Sequence, residues 1–374
     1  MPYDPRWTGR AVELLLRLGV GQVEVSGYHE PDPALVRYRL RGLRLGADGR
    51  PSPANRLLAK VSELAQAQAF AEPPPEPVVR LLRDRGEITD EEARLAQHVP
   101  VADDLCVEAE SAGPGTLAGG LSLFPAVLRL REELAGASPS RVRVGAAGGL
   151  GTPEAVAAAF AMGADFVLTG SVNQCTPQAG TSDLVKDLLA GADVEDFATA
   201  PSGVGFELGA RLPVLRRGVF FPGRADRLFD LYLRHDSVDD LPPAAREQVE
   251  SRYLGRSMDE VWAEVVASHP DPGQVQRAER DARLRMGLIF RWYLQDTLRR
   301  ARDGAASDRL NFQVRSGPAV GAFNRVVRGT RLADWRSRNV DDIAWFLMQE
   351  AARVLTDQWR RMTGSPADPV PVPA

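Results

Sequence analysis

Two pairs of small residues in the middle of the chain have the composition and spacing of a phosphate-binding site. Gly148 and Gly149 follow an apolar strand predicted over residues 142–147, and Gly170 and Ser171 follow the next predicted strand. Glycines at a strand end let backbone N–H groups approach an anionic ligand closely, and a serine hydroxyl adds a further donor. The sequence therefore predicts that both turns bind the phosphate group of one ligand.

The segment that joins the two turns has the pattern of a βαβ crossover. The strands predicted over 142–147 and 166–169 are short and apolar, as parallel strands buried on both faces are. Between them Thr152 supplies an N-cap, Pro153 a first helical residue and Gly163 a helix end. Glycine turns after neighbouring strands are typical of the phosphate site of (β/α)8 barrels. The spacing therefore predicts flavin mononucleotide (FMN).

A dinucleotide-binding fold is the competing interpretation of the same glycines. Its fingerprint needs G-x-G-x-x-G within one loop and an acidic residue about 20 positions further on. Gly148, Gly149 and Gly151 fit that spacing poorly. A simpler alternative is that the glycines only form tight turns. The second pair, Gly170 and Ser171, favours a phosphate site over that alternative.

Lys60 is a further candidate ligand, because lysine is rare in this chain. Of the 46 lysine and arginine residues, only Lys60 and Lys186 are lysine. Lys60 lies in LLAKVS (57–62), near the carboxyl end of a predicted strand, where barrel side chains face the ligand. Its ammonium group would stabilise an anionic reduced flavin at the N1 and O2 edge. The alternative is a salt-bridged lysine on the barrel rim.

The predicted strands that position these residues lie at 20–26, 57–62, 105–109, 142–147 and 166–169. Each is followed by helical sequence, which predicts an α/β fold of the (β/α)8 TIM type that binds flavin. The sequence contains five βα units, whereas a closed barrel of this type has eight. Beyond residue 211, helical patterns follow one another. We expect these segments: a partial FMN-binding barrel (1–209), an inserted helical domain (210–315), a C-terminal helical segment (316–365) and a disordered tail (366–374).

Composition narrows the class of protein. The net charge of −4 argues against a general nucleic-acid-binding role. Cys106 and Cys175 lack the spacing of metal ligands and fit a reducing compartment. The sequence shows neither a signal peptide nor an apolar run of membrane-spanning length, so we expect a cytoplasmic protein without a membrane partner.

The run RVGAAGGLGTPEAVAAAFAMGADFVLTGSVNQCTPQAGTSDLVKDLLAGADV (143–194) closely resembles the PfaD family, enoyl reductases of polyketide and polyunsaturated fatty acid synthases. Further matches are VRYRLRGL (36–43), LLAKVS (57–62), FELGARLPVLRRGVFFPGRADRLFDLY (206–232), MGLIFRWYL (286–294) and SGPAVGAFNRVVRGTRLADW (316–335). The resemblance implies a nitronate-monooxygenase-like flavin barrel with an inserted helical segment similar to that of malonyl transferases. It also implies that FMN, reduced by NADPH, delivers hydride to a 2-enoyl thioester carried in trans by an acyl carrier protein.

The resemblance also assigns roles to individual residues. It places the FMN phosphate at the two glycine turns, with Asn173 and Gln174 nearby. The predicted cofactor-binding set is Lys60, Gly148, Gly149, Gly151, Gly170, Ser171, Asn173 and Gln174.

One departure from the family pattern concerns the chemistry. After the third strand, VEAESAGPGTLAGG (107–120) puts Pro114 where the family has an active-site histidine and Ala118 where it has an arginine. Proline has no side-chain group that can move a proton, and losing a positioned acid typically costs about a hundredfold to ten-thousandfold in rate. His29, in the loop after the first strand, is the remaining catalytic candidate, unless it is a solvated loop residue.

A second departure concerns the barrel itself. The family has three further strands ahead of the one predicted at 20–26, and this chain is expected to lack them. Three explanations are open: a start codon assigned too far downstream, a gene remnant, or a split enzyme whose missing strands come from a second chain. Unpaired strand edges would make such a piece unstable or bring it to a partner.

These observations leave three functional hypotheses. The first is an FMN-dependent enoyl reductase, and the second is a catalytically impaired or inactive flavin-barrel homologue or partner subunit. The third is a nitronate monooxygenase, which also normally needs a base at the position of Pro114. A basic patch for an acidic carrier protein is predicted at Arg285, Arg291, Arg299, Arg300 and Arg302.

Overall fold

The computed structural model of the protein describes residues 1, 4, 7–108, 119–134 and 142–364. The strands are β1 (Gln22–Val25), β2 (Arg44–Leu45), β3 (Pro51–Ser52), β4 (Arg56–Val61), β5 (Asp104–Glu108), β6 (Arg143–Ala147), β7 (Phe166–Leu168), β8 (Phe197–Pro201) and β9 (Arg211–Leu215). The α-helices are α1 (Thr8–Arg17), α2 (Pro33–Leu40), α3 (Leu64–Ala71), α4 (Glu76–Asp84), α5 (Asp90–Leu95), α6 (Gly120–Leu134), α7 (Pro153–Ala161), α8 (Asp183–Ala190), α9 (Phe221–Arg234), α10 (Pro243–Gln248), α11 (Met258–Ser268), α12 (Pro272–Ala278), α13 (Ala282–Asp303), α14 (Pro318–Val326) and α15 (Val340–Thr363).

The chain divides into two compact units. The sheet unit comprises the described residues within 1–169 and 350–364, and the helical unit comprises 170–349. The boundary expected at 209/210 falls inside the helical unit, in the connection between β8 and β9. The tail predicted over 366–374 lies outside the described residues.

A parallel sheet organises the sheet unit, with the described strands in the order β1-β4-β5-β6-β7. All the strands predicted for the barrel are therefore present and adjacent in the expected order. On one face the side chains of Leu57, Ala59 and Val61 are buried, and α3, α6 and α7 pack along the sheet. β7 differs from the prediction, because its residues are half-buried rather than buried on both faces. It has β6 as its strand partner and forms one edge of the described sheet.

A buried arginine joins α2 to the strand ends of the sheet unit. The Arg39 side chain is 1% exposed and binds the Asp103 carboxylate through two hydrogen bonds of 2.7 and 3.0 Å. Its Nε donates to the Pro100 carbonyl at 3.0 Å, and Asp103 also accepts from the Leu57 N–H at 3.0 Å. Bidentate, charge-assisted pairs of this kind fix geometry as well as adding energy. Arg39 thereby fixes where β4 and β5 begin.

The helical unit has a core of its own. Phe206, Phe221 and Phe290 are fully buried in a cluster formed chiefly by α9, α11 and α13. β8 and β9 form an antiparallel hairpin, in which Phe197 pairs with Leu215 and Pro201 with Arg211. The sequence predicted helices without strands from residue 211 onward, and this was wrong for β9. Both strands contain proline, a residue that is rare in strands, so their sequences do not predict strands.

Replacing Arg39 tests how much the sheet unit depends on this ion pair. Arg39→Met leaves the Asp103 carboxylate without its cation, so the free energy of unfolding should fall by about 3–5 kcal/mol. Arg80→Met is the matched control, because Arg80 forms an exposed pair with Glu76 one helical turn away. We expect a change of less than about 0.5 kcal/mol there. Urea unfolding followed by circular dichroism measures both, and equal losses would contradict the role given to Arg39.

Candidate functional site

The first glycine turn has the backbone geometry that a close anionic ligand requires. Gly148 and Gly149 follow β6 with φ of 93° and 69°, in the left-handed region that favours glycine. Within the described residues, neither N–H has an acceptor. The turn borders a mostly apolar cavity of about 320 Å³ near α6 and α7. Two unpaired donors beside an open space can bind an anion.

Helix α7 begins immediately after this turn and adds a favourable field for a negative charge. Thr152 caps the helix by accepting from the Ala155 N–H at 3.2 Å, with Pro153 as the first helical residue. Gly151, which is also predicted to bind the cofactor, has its N–H engaged within the turn. Its N–H donates to the Gly149 carbonyl at 2.9 Å, so this amide shapes the turn and is not free for a ligand.

The second turn begins where β7 ends. Ala147 of β6 pairs with Leu168 of β7, so both strands end at the same edge of the sheet. Gly170 has nothing within 4 Å of the place where a side chain would begin, and the Ser171 hydroxyl accepts from the Gly317 N–H at 3.1 Å. In the described part of the chain, the N–H groups of Gly170 and Ser171 have no acceptor. This turn therefore also offers free donors.

Asn173 and Gln174, which the sequence places near the phosphate, belong to the 3₁₀ segment Ser171–Cys175. The Asn173 N–H donates to the Gly170 carbonyl at 3.0 Å, and its carbonyl accepts from the Thr176 hydroxyl at 2.8 Å. The Asn173 backbone thus stabilises the turn. Gln174 lines a cavity within the helical unit.

Lys60 lies on the sheet face opposite Leu57, Ala59 and Val61, among acidic side chains of the neighbouring strands. Its Nζ is 3.2 Å from Glu24 on β1 and 3.4 Å from Glu108 on β5. Burial alone would lower the pKa of Lys60, but the two carboxylates outweigh it and the pKa is raised. Lys60 is therefore a charged, ion-paired residue, and its role toward a flavin stays a prediction. The alternation of Val23, Glu24 and Val25 could have revealed Glu24 as its partner.

Of the three positions considered for catalysis from the sequence, the structure describes only His29. His29 is exposed, four residues beyond the end of β1. Pro114 and Ala118 lie outside the described residues.

Both cysteines are buried and are held in the neutral form. Burial raises the pKa of Cys106 to about 12 and that of Cys175 to about 11. Cys175 contacts the buried Arg338, whose guanidinium lies 3.5 Å from the sulfur. Both thiols act as small apolar residues.

A known protein structure is similar to this chain in fold and in sequence over almost its full length. The crystal structure of the enoyl reductase domain of MlnA, from the macrolactin biosynthesis cluster of Bacillus amyloliquefaciens, is 36% identical in sequence. The alignment covers 97% of this chain and 83% of that chain, with a TM-score of 0.93. The chain belongs to the PfaD family. The similarity also confirms the predicted α/β TIM-type fold.

Curated relatives of this PfaD-family chain come from bacteria and from a thraustochytrid. The polyketide biosynthesis protein ThaF of Burkholderia thailandensis is 48% identical over 94% of this chain, and PksE of Bacillus subtilis is 42% identical over 94%. One component of a Thraustochytrium polyunsaturated fatty acid synthase is 43% identical over 88%. The chain spans 31% of ThaF, 46% of PksE and 23% of that synthase component.

A second similarity is confined to the helical unit. The family model for the inserted helical domain of [acyl-carrier-protein] S-malonyltransferase matches residues 235–312. These residues lie within the insertion expected at 210–315. In the described ranges, no helix combines the length and apolar composition that a membrane span requires.

Thiol reactivity tests the burial of Cys106 and Cys175. At pH 8 both pKa values lie well above the ambient pH, so an aromatic disulfide reagent should release no fast thiol signal from the native protein. After unfolding in urea, two thiols per chain should react. The absorbance of the released thiolate measures both stages. A thiol that reacts within seconds in the native protein would show that one of these side chains is accessible and ionised.

Proposed function

We propose that this chain is an FMN-dependent enoyl reductase that acts in trans on 2-enoyl thioesters carried by an acyl carrier protein. The observation that carries the proposal is the similarity to the MlnA enoyl reductase domain over 97% of the chain. ThaF, PksE and the Thraustochytrium synthase components are named for polyketide or polyunsaturated fatty acid synthesis, so we place the reaction in one of these two pathways.

The residues present fit the phosphate of FMN. The N–H groups of Gly148 and Gly149, which have no acceptor in the part of the chain that the structure describes, supply donors, and the N-terminus of α7 adds a favourable field. The N–H groups of Gly170 and Ser171, which also lack an acceptor among the described residues, are suited to the same chemistry. Bound FMN, reduced by NADPH, would supply hydride transfer. The protein's part is to bind and orient that group and the enoyl thioester.

Lys60 is the proposed electrostatic partner of the flavin ring. Its raised pKa keeps the ammonium charged throughout the physiological range. Glu24 and Glu108 hold the Lys60 side chain in place, because each carboxylate forms an ion pair with its ammonium group. A positioned cation needs no reorganisation when negative charge develops on a neighbouring ring.

The carrier-protein patch predicted from the sequence is largely neutralised in the structure. Arg285 pairs with Asp259 and Arg291 with Glu207. The remaining three arginines are also paired, through Asp296, Asp303 and Asp308. Paired charges attract an acidic partner less than free ones do. Carrier-protein docking therefore remains part of the proposal without a surface defined by these arginines.

The alternative function is a flavin-binding homologue with impaired or absent turnover, or a partner subunit. Pro114 favours it, because proline cannot donate or accept the proton that the family's histidine handles. A partner chain would add its strands at an edge such as that of β7, which in the described residues has β6 as its strand partner. A nitronate monooxygenase would meet the same lack of a base and ranks below both.

Flavin retention tests the first glycine turn. Gly149→Ala adds a methyl group to the turn proposed to bind the phosphate, so flavin affinity should fall at least about tenfold, the value of roughly one charge-assisted hydrogen bond. Gly86→Ala is the matched control, because Gly86 has the same φ of 69° and open space around it. Both variants carry the same backbone strain of about 1 kcal/mol. The ratio of flavin to protein absorbance measures retention, and equal loss in both would refute the site.

Turnover separates the proposed enzyme from its alternative. The yellow protein should oxidise NADPH when a crotonyl thioester of an acyl carrier protein is added, and the saturated thioester should appear in the mass spectrum. Pro114→His should raise the rate by about a hundredfold or more, because it restores a proton donor. Wild-type protein that retains flavin but produces no saturated thioester would favour the inactive homologue. Oxidation of a nitroalkane without thioester reduction would favour the monooxygenase.

A further inference from the structure

A second cavity, of about 540 Å³, lies entirely within the helical unit. The loop after Ser171–Cys175 forms one wall and α13 forms another. Among the described residues that line it there is no carboxylate. Its polar lining includes the three glutamines Gln174, Gln295 and Gln313, together with Thr181 and the arginines Arg299, Arg302 and Arg315.

Arg315 is the lining residue whose charge is not compensated. No aspartate or glutamate among the described residues lies within ion-pair distance of its guanidinium. With the Gln313 amide oriented so that its nitrogen faces the Leu294 carbonyl, its oxygen accepts from Arg315 Nε at 3.1 Å. This neutral contact fixes the side chain but leaves its charge unbalanced. Desolvation lowers the pKa of Arg315, as it does for a cation that lacks a partner.

The other arginines of the cavity differ from Arg315 in this respect. Arg299 pairs with Asp296 and Asp303, and Arg302 pairs with Asp303 at 3.1 Å. The side chains of both are more than half exposed, whereas Arg315 is half-buried. Removing a charge from water without a counter-charge is unfavourable. An anion bound in the cavity would supply the missing counter-charge.

Several contacts hold this part of the cavity in place. The Arg315 backbone forms a β-bridge with Val214, and the Leu215 N–H donates to the Val314 carbonyl at 2.9 Å. Two residues after Arg315, the Gly317 N–H donates to the Ser171 hydroxyl. The cation is therefore connected through a short, hydrogen-bonded stretch to the Gly170–Ser171 turn. A ligand held by Arg315 would lie close to that turn.

We infer that this cavity binds a phosphate ester through Arg315, with Arg299 and Arg302 at its rim. Its volume is in the range of small-molecule sites, and guanidinium groups bind phosphate with good geometry. On the proposed function, on which this choice rests, the phosphate belongs to one of two molecules. It is either the 2′-phosphate of the reducing nucleotide or the phosphodiester of the pantetheine arm.

Calorimetric titration of the flavin-loaded full chain tests the inference. The probes are adenosine 2′-monophosphate and 4′-phosphopantetheine, with adenosine and pantetheine as phosphate-free controls. One or both phosphate esters should bind and the controls should not, and the ester that binds identifies the source. Arg315→Gln should weaken binding at least about tenfold. Arg277→Gln, which removes an exposed arginine paired with Asp271 elsewhere in the unit, should leave it unchanged.

Three outcomes would overturn the inference: neither ester binds, Arg315→Gln binds as well as the wild type, or Arg315→Gln loses its flavin. The last would assign Arg315 to the flavin itself. A wild-type chain that purifies without flavin would instead refute the proposed function. The titration would still be meaningful, because the cavity lies within the helical unit.

Chemical modification of the wild-type chain keeps the test valid if Arg315→Gln does not fold. Phenylglyoxal modifies accessible guanidinium groups, and peptide mass spectrometry locates each modified arginine. The phosphate ester that binds should slow modification of Arg315 at least about tenfold and leave Arg277 unaffected. Equal modification of Arg315 with and without the ester would reject the site.

Discussion

The parallel register of the sheet is the constraint on which the candidate site depends. Because β1, β4, β5, β6 and β7 run in one direction, their carboxyl ends lie at one edge of the sheet. The turns that follow these ends can therefore bind a common ligand. The register also aligns Ala147 with Leu168, so β6 and β7 end together. The proposed flavin site depends on this alignment and on the residues of the turn that follows each strand.

The strands of this sheet were predictable because their signal is local. Short apolar runs bounded by glycine, proline and capping residues mark both the strands and the crossover helix α7, whose Thr152 cap the structure reproduces. β9 was missed because Pro213 interrupts its apolar pattern and because its partner, β8, had not been predicted as a strand. The strands of a hairpin are defined by their pairing, and pairing depends on both segments, so it cannot be inferred from one segment alone.

The ion-pair partners of a charged residue can be predicted when they lie nearby in the sequence or follow a clear strand alternation, but not when they lie on a distant element. Glu24 could be inferred as a partner of Lys60, because alternation places it on the opposite face from Val23 and Val25. The neutralisation of the arginines in α13 was only partly foreseeable, since Asp296 and Asp303 lie one turn away but Asp259 lies on another helix. Counting arginines along a helix therefore overestimates its positive field. The sequence does not indicate that Arg315 lacks an acidic partner among the described residues, because such a partner can come from any distant segment.

Binding and turnover make separate demands on this fold, and the chain answers them with different residues. On the proposed function, phosphate recognition would use backbone N–H groups at Gly148 and Gly149, which any sequence that keeps the turn will preserve. In the proposed reaction, proton transfer would use one side chain, and at that position the family resemblance places Pro114. A homologue can therefore lose turnover through a single substitution while its flavin site stays intact. Retained colour is for this reason support for the site but not for the reaction, and the two must be measured on the same protein.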